Sequence, residues 1–416
     1  MSLHQRALTL DATDPLAPLR AEFLFPRAPD GSDALYFAGN SLGLQPRRAR
    51  EYVLAELDDW ARLGVEGHVH GRHPWLPYHE LVTEPMARLV GALPSEVVVM
   101  NTLTVNLHLL LVSFYRPTRE RYRIVIEGGA FPSDRYAVAS QARLHGFDPH
   151  DAIVTLEPRP GEDLLRTEDI VSSLERLGSS VAVVLLGQVS YLTGQAYDVP
   201  AIGAAARSIG ARFGLDLAHG AGNLRLSLHD DDVDFACWCS YKYLNSGPGS
   251  LGGAFVHARH LGDPSMPRLE GWWGHDKATR FQMPRTFVPI PTAEAWQLSN
   301  PPILPLAALR ASLELFDRAG PLALRQKSVA LTALLEEVLA PHAARAQVLT
   351  PRERDARGCQ LSMRVTSGAR AVVERLGARG VIADAREPDV VRLAPVPLYT
   401  RFADLTALGD VLSHVL

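Results

Sequence analysis

Between residues 122 and 258 short apolar runs recur at helix-length intervals: YRIVIE at 122–127, VAVVLLG at 181–187, ARFGLDL at 211–217, VDFACWCS at 233–240 and GGAFVHA at 252–258. Most are continuously apolar rather than alternating, and the stretch PAIGAAARSIG at 200–210 inserts a helical pattern between two of them. Strands that are apolar on both faces need cover on both faces, which a mostly parallel sheet between helices supplies. The expected fold class is α/β. At 416 residues the chain is too long for one binding module, and roughly 150 residues per domain suggests two or three units. A chain of this length buries about three quarters of its unfolded surface, so its stability requires neither disulfides nor metals.

Residues 1–40 are proline-rich and read as irregular, ending in the turn-like Gly39-Asn40-Ser41-Leu42-Gly43. Residues 46–63 have helical period with charge on the opposite face, and 101–115 read as a loop opening into a buried helix after a strand at 96–100. A proline cluster at Pro301, Pro302 and Pro305 marks the expected boundary. Beyond it, two amphipathic helices, strands at 360–365 and 390–394 and a helix near 369–378 form a smaller α+β unit. The expected division is an N-terminal segment (1–45) packing with the small domain, a large domain (46–304) and the small domain itself (305–416).

Composition narrows the function. Hydrophobic residues make up 47% and charged residues 21%, a globular balance, and the net charge is −4 without any long Lys/Arg run. A nucleic-acid partner would require a concentrated basic face, so none is expected. The first residues contain no uninterrupted apolar segment and no stretch reaches 18 apolar residues, so a soluble, unexported, cytoplasmic protein without a membrane partner is expected. Three cysteines (Cys237, Cys239, Cys359) are an odd and sparse set that fits a reducing compartment.

Only three of the 42 basic residues are lysines: Lys242, Lys277 and Lys327. Arginine cannot be deprotonated in proteins or form an imine, so a position that requires a primary amine is quickly located. Lys242, in Ser240-Tyr241-Lys242-Tyr243-Leu244-Asn245, follows an apolar strand and enters a Gly/Pro loop. Desolvation there disfavours the ammonium and leaves a free amine for imine chemistry; the alternative is an ordinary turn lysine. Upstream, Asp216 ends an apolar strand, where a buried carboxylate needs a cationic or hydrogen-bonding partner. A protonated pyridine nitrogen would serve; an isolated Asp at that position would be a helix cap. Thr102-Leu103-Thr104 stands at a strand-to-helix junction, where free N–H groups and hydroxyls can cradle a phosphate. Phosphate cup, ring acid and imine lysine, in that order, are what pyridoxal 5'-phosphate chemistry requires.

The chain resembles the kynureninase family of fold type I, aminotransferase-like pyridoxal-phosphate enzymes. The matching segments are GNSLGLQP (39–46), NTLTVNLHLL (101–110), FPSD (131–134), DLAHGAGN (216–223), DFACWCSYKYLNSGPGS (234–250), GWWGH (271–275), SNPP (299–302) and RLAPVPLY (392–399). The resemblance implies hydrolysis of L-kynurenine or 3-hydroxy-L-kynurenine to L-alanine and an anthranilate, in tryptophan catabolism toward NAD. It makes Lys242 the imine-forming residue and pairs Asp216 with the ring nitrogen, with His219 close by. It adds Leu103, Thr104 and Tyr241 around the phosphate, Phe131 as the stacking ring with Pro132, Ser133 and Asp134 beside it, and Trp272 and Asn300 across an expected homodimer interface. Tyr241 is the candidate general acid. Arg392 is expected to grip the substrate carboxylate, with Asn40, Ser41 and, near its aromatic end, His68.

Other motifs carry less. Gly247-Pro248-Gly249-Ser250-Leu251-Gly252 spells a dinucleotide fingerprint but precedes a strand instead of opening a helix, so it is set aside. His68, His70, His73 and His79 match no zinc spacing and are interrupted by Pro74 and Pro77, so no metal is expected. Cys237 and Cys239 read as core. Cysteine desulfurases share the fold and use a late nucleophilic cysteine, which makes Cys359 the residue that defines the rival reading; opening an apolar strand, it is expected to be structural.

Overall fold

The computed structural model describes residues 1–263 and 265–416. Its centre is a seven-stranded sheet built from Val97–Met100, Arg123–Glu127, Ile153–Leu156, Val181–Gly187, Arg212–Asp216, Phe235–Cys239 and Gly252–Val256. In spatial order the strands run Val97–Met100, Gly252–Val256, Phe235–Cys239, Arg212–Asp216, Val181–Gly187, Arg123–Glu127, Ile153–Leu156. Only Gly252–Val256 is antiparallel to its neighbours; the remaining pairings are parallel. The parallel strands are connected by helices, among them Pro132–Leu144, Thr167–Leu177 and Val199–Ser208.

The continuous apolar runs are explained by what covers them. Val183, Leu185, Phe235 and Cys237 face a core with Leu107, Leu110 and Phe114 of the helix Leu103–Phe114. Val184, Leu186, Phe213, Leu215 and Trp238 face the opposite core. On that side the helix Ile303–Ala319 packs against Arg47–Leu63 and Glu80–Val90.

The C-terminal unit is a four-stranded antiparallel sheet in the order Ala346–Val348, Leu361–Val365, Val390–Leu393, Asp384–Arg386. Its core joins Leu361, Met363 and Leu393 to Leu331 and Leu335 of Pro321–Leu339 and to Leu405 and Leu408 of Phe402–Val415.

The N-terminal residues depart from the irregular reading. Leu3–Thr13 is an α-helix whose start is fixed by a reciprocal capping box between Ser2 and Gln5. Only Ala7 of this helix is buried, so it offers no apolar stripe to read. Tertiary contacts hold it instead. It packs on Phe402–Val415, and Asp11 accepts from the N–H groups of Phe402 (2.7 Å) and Ala403 (2.9 Å), supplying acceptors to that helix's unpaired first donors. Asp14 pairs with the buried Lys327 at 2.7 Å. Further on, Leu35–Tyr36 pairs in parallel with Val381–Ile382, and Ala38 bridges to Ala394. These pairings carry the 39–43 turn into the groove between the two sheets.

Candidate active site

Glu127, Gly187 and Asp216 are the last residues of three adjacent parallel strands, and all three line one cavity. This is where open α/β sheets bind ligands, beyond the carboxyl ends of their strands. Leu103, Thr104, Phe131, Ser133, Asp134, Tyr191, His219, Tyr241 and Lys242 complete the walls.

Lys242 lies just past the strand Phe235–Cys239, and its Nζ is 3.2 Å from His219 Nε2. The phenyl ring of Phe131 has its centroid 6.0 Å from that amine and meets the Tyr191 ring edge-on at 5.2 Å. The backbone around Lys242 is held from outside: Gly43 N–H donates to the Tyr241 carbonyl at 2.8 Å. A side chain at position 43 would collide with the Lys242 carbonyl, which is why the 39–43 turn has glycine there. His219 is buried, and among the described residues its Nδ1 has no partner within hydrogen-bond geometry. Burial, reinforced by the charges of Lys242 and Arg392, holds its imidazole well below the ordinary histidine range, so it is neutral beside the amine.

The acids form a buried cluster. Asp216 Oδ1 accepts from the Ala218 N–H at 2.6 Å. Asp134 and Asp216 share a hydrogen bond, and burial raises both. Asp134 is raised the more, by burial and then by the Asp216 charge, whereas Asp216 has the backbone donor and the facing Lys242 to favour its anion. The backbone donor and Lys242 thus favour the anion at Asp216 over the anion at Asp134.

Glu127 accepts from the Gly187 N–H at 3.1 Å, yet burial pushes its carboxyl up from 4.5 to about 7. A carboxyl raised in the folded state gives stability that is fully present below about 4.5 and is lost as pH rises through about 7. Glu127→Gln should therefore flatten the fall in stability of the cofactor-free protein over this window, an effect on the order of 3 kcal/mol. Denaturant unfolding at pH 5 and pH 8 checks it; an unchanged pH dependence would remove Glu127 from the account.

The donor set fits pyridoxal phosphate. Thr102 begins the helix Leu103–Phe114 without a side-chain cap bond, which leaves the first N–H groups of the helix without that acceptor among the described residues. The hydroxyls of Thr104 and Ser133 meet at 3.3 Å beside them. An anion cradle, a buried charged acid, a primary amine and an exposed aromatic face at Phe131 thus converge on one cavity.

Arg392, on the strand Val390–Leu393, does not line this cavity; it meets it through Tyr191, a wall residue whose carbonyl it bonds. Its side chain is fully buried, with Nη1 donating to the Tyr191 carbonyl (2.7 Å) and Nη2 to Ser41 Oγ (3.0 Å) and Asp384. Its Nε has no partner among the described residues. Asn40 is buried and bonded to Gln360 at 3.1 Å, and Gln360 also donates to the Tyr191 carbonyl. Lysine at 392 would replace a fork with one ammonium, so Arg392→Lys should raise KM for the substrate by about 10- to 100-fold while moving kcat less. Steady-state kinetics test this, and an unchanged KM would place the carboxylate site elsewhere.

Of the expected site residues, Pro132, Trp272, Asn300, His68, Asn40, Ser41 and Arg392 do not line the cavity. Pro132 starts the helix Pro132–Leu144. Trp272 is 41% exposed and Asn300 is exposed. His68 bonds to the Val65 carbonyl at 3.0 Å and meets Trp75 edge-on. Glu127, Gly187, Val189 and Tyr191 line it but escaped the reading of the sequence. Their signal was position: each lies at or just past the end of a parallel strand.

The histidine-dense stretch does not converge. Among the described residues, the groups able to hold a metal are Glu96/His229/His257 and His79/Glu80/Glu294. The Lys277 ammonium already bridges Glu80 and Glu294 in the second. Cys237, Cys239 and Cys359 are all free and buried.

A mostly parallel seven-stranded sheet with this amine, acid and anion cradle at its carboxyl edge defines a fold type I pyridoxal-phosphate enzyme. Solved structures agree on the fold: a mutant of the cystine C–S lyase C-DES, carrying glycine covalently linked to its cofactor, superposes with TM-score 0.79 at 18% identity over 95% of this chain and 99% of its own. The cysteine desulfurase CsdA of Escherichia coli gives 0.78 at 19% identity over 96% and 98%. The sequence is more specific. A model of the kynureninase C-terminal domain matches residues 324–412. The kynureninase of Myxococcus xanthus (strain DK1622) is 62% identical over 401 residues, 96% of this chain and 94% of that one. That of Koribacter versatilis (strain Ellin345) is 57% identical, over 96% and 94%. The chain belongs to the kynureninase family.

Proposed function

We propose that the protein hydrolyses L-kynurenine or 3-hydroxy-L-kynurenine to L-alanine and the corresponding anthranilate, in tryptophan catabolism, using pyridoxal 5'-phosphate. The observation that carries this reading is Lys242 Nζ beside neutral His219 in a cavity shared with Asp216 and Thr104. The cofactor would be held by the N–H groups of Leu103 and Thr104, by Ser133, Tyr241 and Asp216, and against the ring of Phe131. When bound, it supplies an aldehyde that condenses with primary amines and a ring that delocalises negative charge.

The chain's own groups do the rest. Lys242 Nζ is the base that removes and returns the substrate Cα proton. The Asp216 carboxylate, whose anion the Ala218 N–H and Lys242 favour, holds a proton on the ring nitrogen. The Tyr241 phenol, raised above its ordinary range by burial and then by Cys239, stays protonated and is the donor toward the substrate carbonyl. Arg392, with Asn40 and Ser41 around it, orients the substrate carboxylate. His68, edge-on to Trp75, would by family resemblance meet the aromatic end of the substrate. Trp272 and Asn300, exposed on this chain, would complete the site of a second copy in a homodimer. The three free cysteines suit a reducing compartment such as the cytoplasm, and among the described residues no helix is long and apolar enough to cross a membrane. The expected boundary between 46–304 and 305–416 falls inside the helix Ile303–Ala319, which packs on Arg47–Leu63 and Glu80–Val90, so the proposed division keeps residues 1–45 as the first unit and carries the large domain on through this helix.

The desulfurase reading is disfavoured by Cys359. It has no exposed surface, and burial pushes its thiol up to about 12, which suppresses the nucleophilic thiolate. The purified enzyme given L-kynurenine should release alanine and fluorescent anthranilate, and Cys359→Ala should retain that activity. Sulfide release from cysteine, lost in the same variant, would overturn the assignment.

A further inference from the structure

A second cavity, of about 270 Å³, is lined in part by Gly222, Asn223, Leu224 and Arg225, the residues that follow His219 in the chain. That is just below the roughly 300–1,000 Å³ usual for small-ligand sites. Leu89, Phe316 and Leu324 give it apolar walls, and three guanidiniums, Arg88, Arg225 and Arg325, stand around it against one acid, Asp317. Asp317 is already bonded to Arg88 at 2.8 Å, and Arg325 donates to the Arg354 carbonyl. Arg225 is exposed and has no acidic partner among the described residues. Apolar walls with an excess of positive charge select an amphiphilic anion.

The floor of this cavity is part of the catalytic loop. Asn223 lines it, donates to the His219 carbonyl at 2.9 Å and accepts from the Cys359 N–H at 2.8 Å. A ligand that engages Asn223 thus acts on the residue that supports His219, whose ring touches Lys242.

We infer that this cavity binds a small aromatic monocarboxylate, its ring between Phe316 and Leu324 and its carboxylate on Arg225, and that occupancy is felt at Lys242 through Asn223. The choice of anthranilate as one probe rests on the proposed reaction; benzoate, the second, does not. Calorimetry on the cofactor-loaded enzyme with benzoate should show binding at this cavity, to which any uptake at the active site would add. Arg225→Glu, an exposed position, should weaken the binding at the cavity by roughly 10- to 100-fold, the loss expected for one charged hydrogen bond. Inhibition of kynurenine turnover by anthranilate should have a noncompetitive part that disappears in this variant, while the competitive part remains. Benzoate binding unaltered by Arg225→Glu, or crystals soaked in benzoate with the cavity empty, would overturn the inference. Failure to turn over kynurenine would instead strike the proposed function and leave benzoate binding at the cavity as the independent readout.

Discussion

Replacement of Lys242 by alanine should lower kynurenine turnover by about 10⁵–10⁶-fold, the order found when a nucleophile or the base acting with it is removed. The loss should be as large for Lys242→Arg. A guanidinium keeps the positive charge and much of the volume, but it neither forms an imine nor releases a proton at neutral pH. This pair of substitutions separates the charge from the amine, in a chain that uses arginine at nearly every other basic position. Both variants should still fold, because the Lys242 side chain points into the cavity and contacts His219 rather than core. The alanine variant should also still take up cofactor without a covalent link, since the helix start at Leu103 and the Asp216 carboxylate remain. Borohydride treatment followed by peptide mapping reads the link directly: the unsubstituted enzyme should carry reduced cofactor on position 242 and the variants none. An arginine variant with measurable turnover would end the role given to the amine.

The large sheet was legible because its strands are buried on both faces, so each of the five runs between 122 and 258 is apolar almost throughout. Asp216 was legible for the same reason: a carboxylate ending such a run is costly unless it has a partner. Lys242 stood out through scarcity. Glu127 and Tyr191 carried no comparable contrast. Glu127 ends its strand as Asp216 does, and only the rule that ligands lie at the carboxyl ends of parallel strands would have selected it. The helix Leu3–Thr13 was hidden because a helix with one buried residue shows no apolar period; its Ser2–Gln5 capping box was the available signal. The pairing of Arg392 with Ser41 joins residues 351 positions apart, and it depends on the Leu35–Tyr36 strand finding Val381–Ile382. No local pattern encodes that.

Replacement of Asp216 by alanine should separate catalysis from stability. Asp216 is buried, and its carboxyl is raised by that burial. By linkage, its contribution to stability is present at low pH and lost as pH rises through the folded value, so at neutral pH its ionised form weakens the cofactor-free fold. Alanine removes this cost and also frees Asp134 from a neighbouring charge, the second cause of its raised carboxyl. What is lost is the bond from the Ala218 N–H, which typically contributes about 1–3 kcal/mol when the acceptor is charged. The two effects oppose each other, and the fall in melting temperature of the cofactor-free protein between pH 5 and pH 8 should be smaller in the variant than in the unsubstituted chain. Turnover, by contrast, should fall by at least the 10²–10³-fold typical of removing one preorganised electrostatic group. Lys242 is untouched, so borohydride should still fix cofactor at position 242, which sets this variant apart from Lys242→Ala. Asp216→Asn, which restores an acceptor without a charge, should recover the bond to Ala218 but little of the rate. Full activity in the asparagine variant would mean that shape at position 216, rather than its charge, is what the reaction uses.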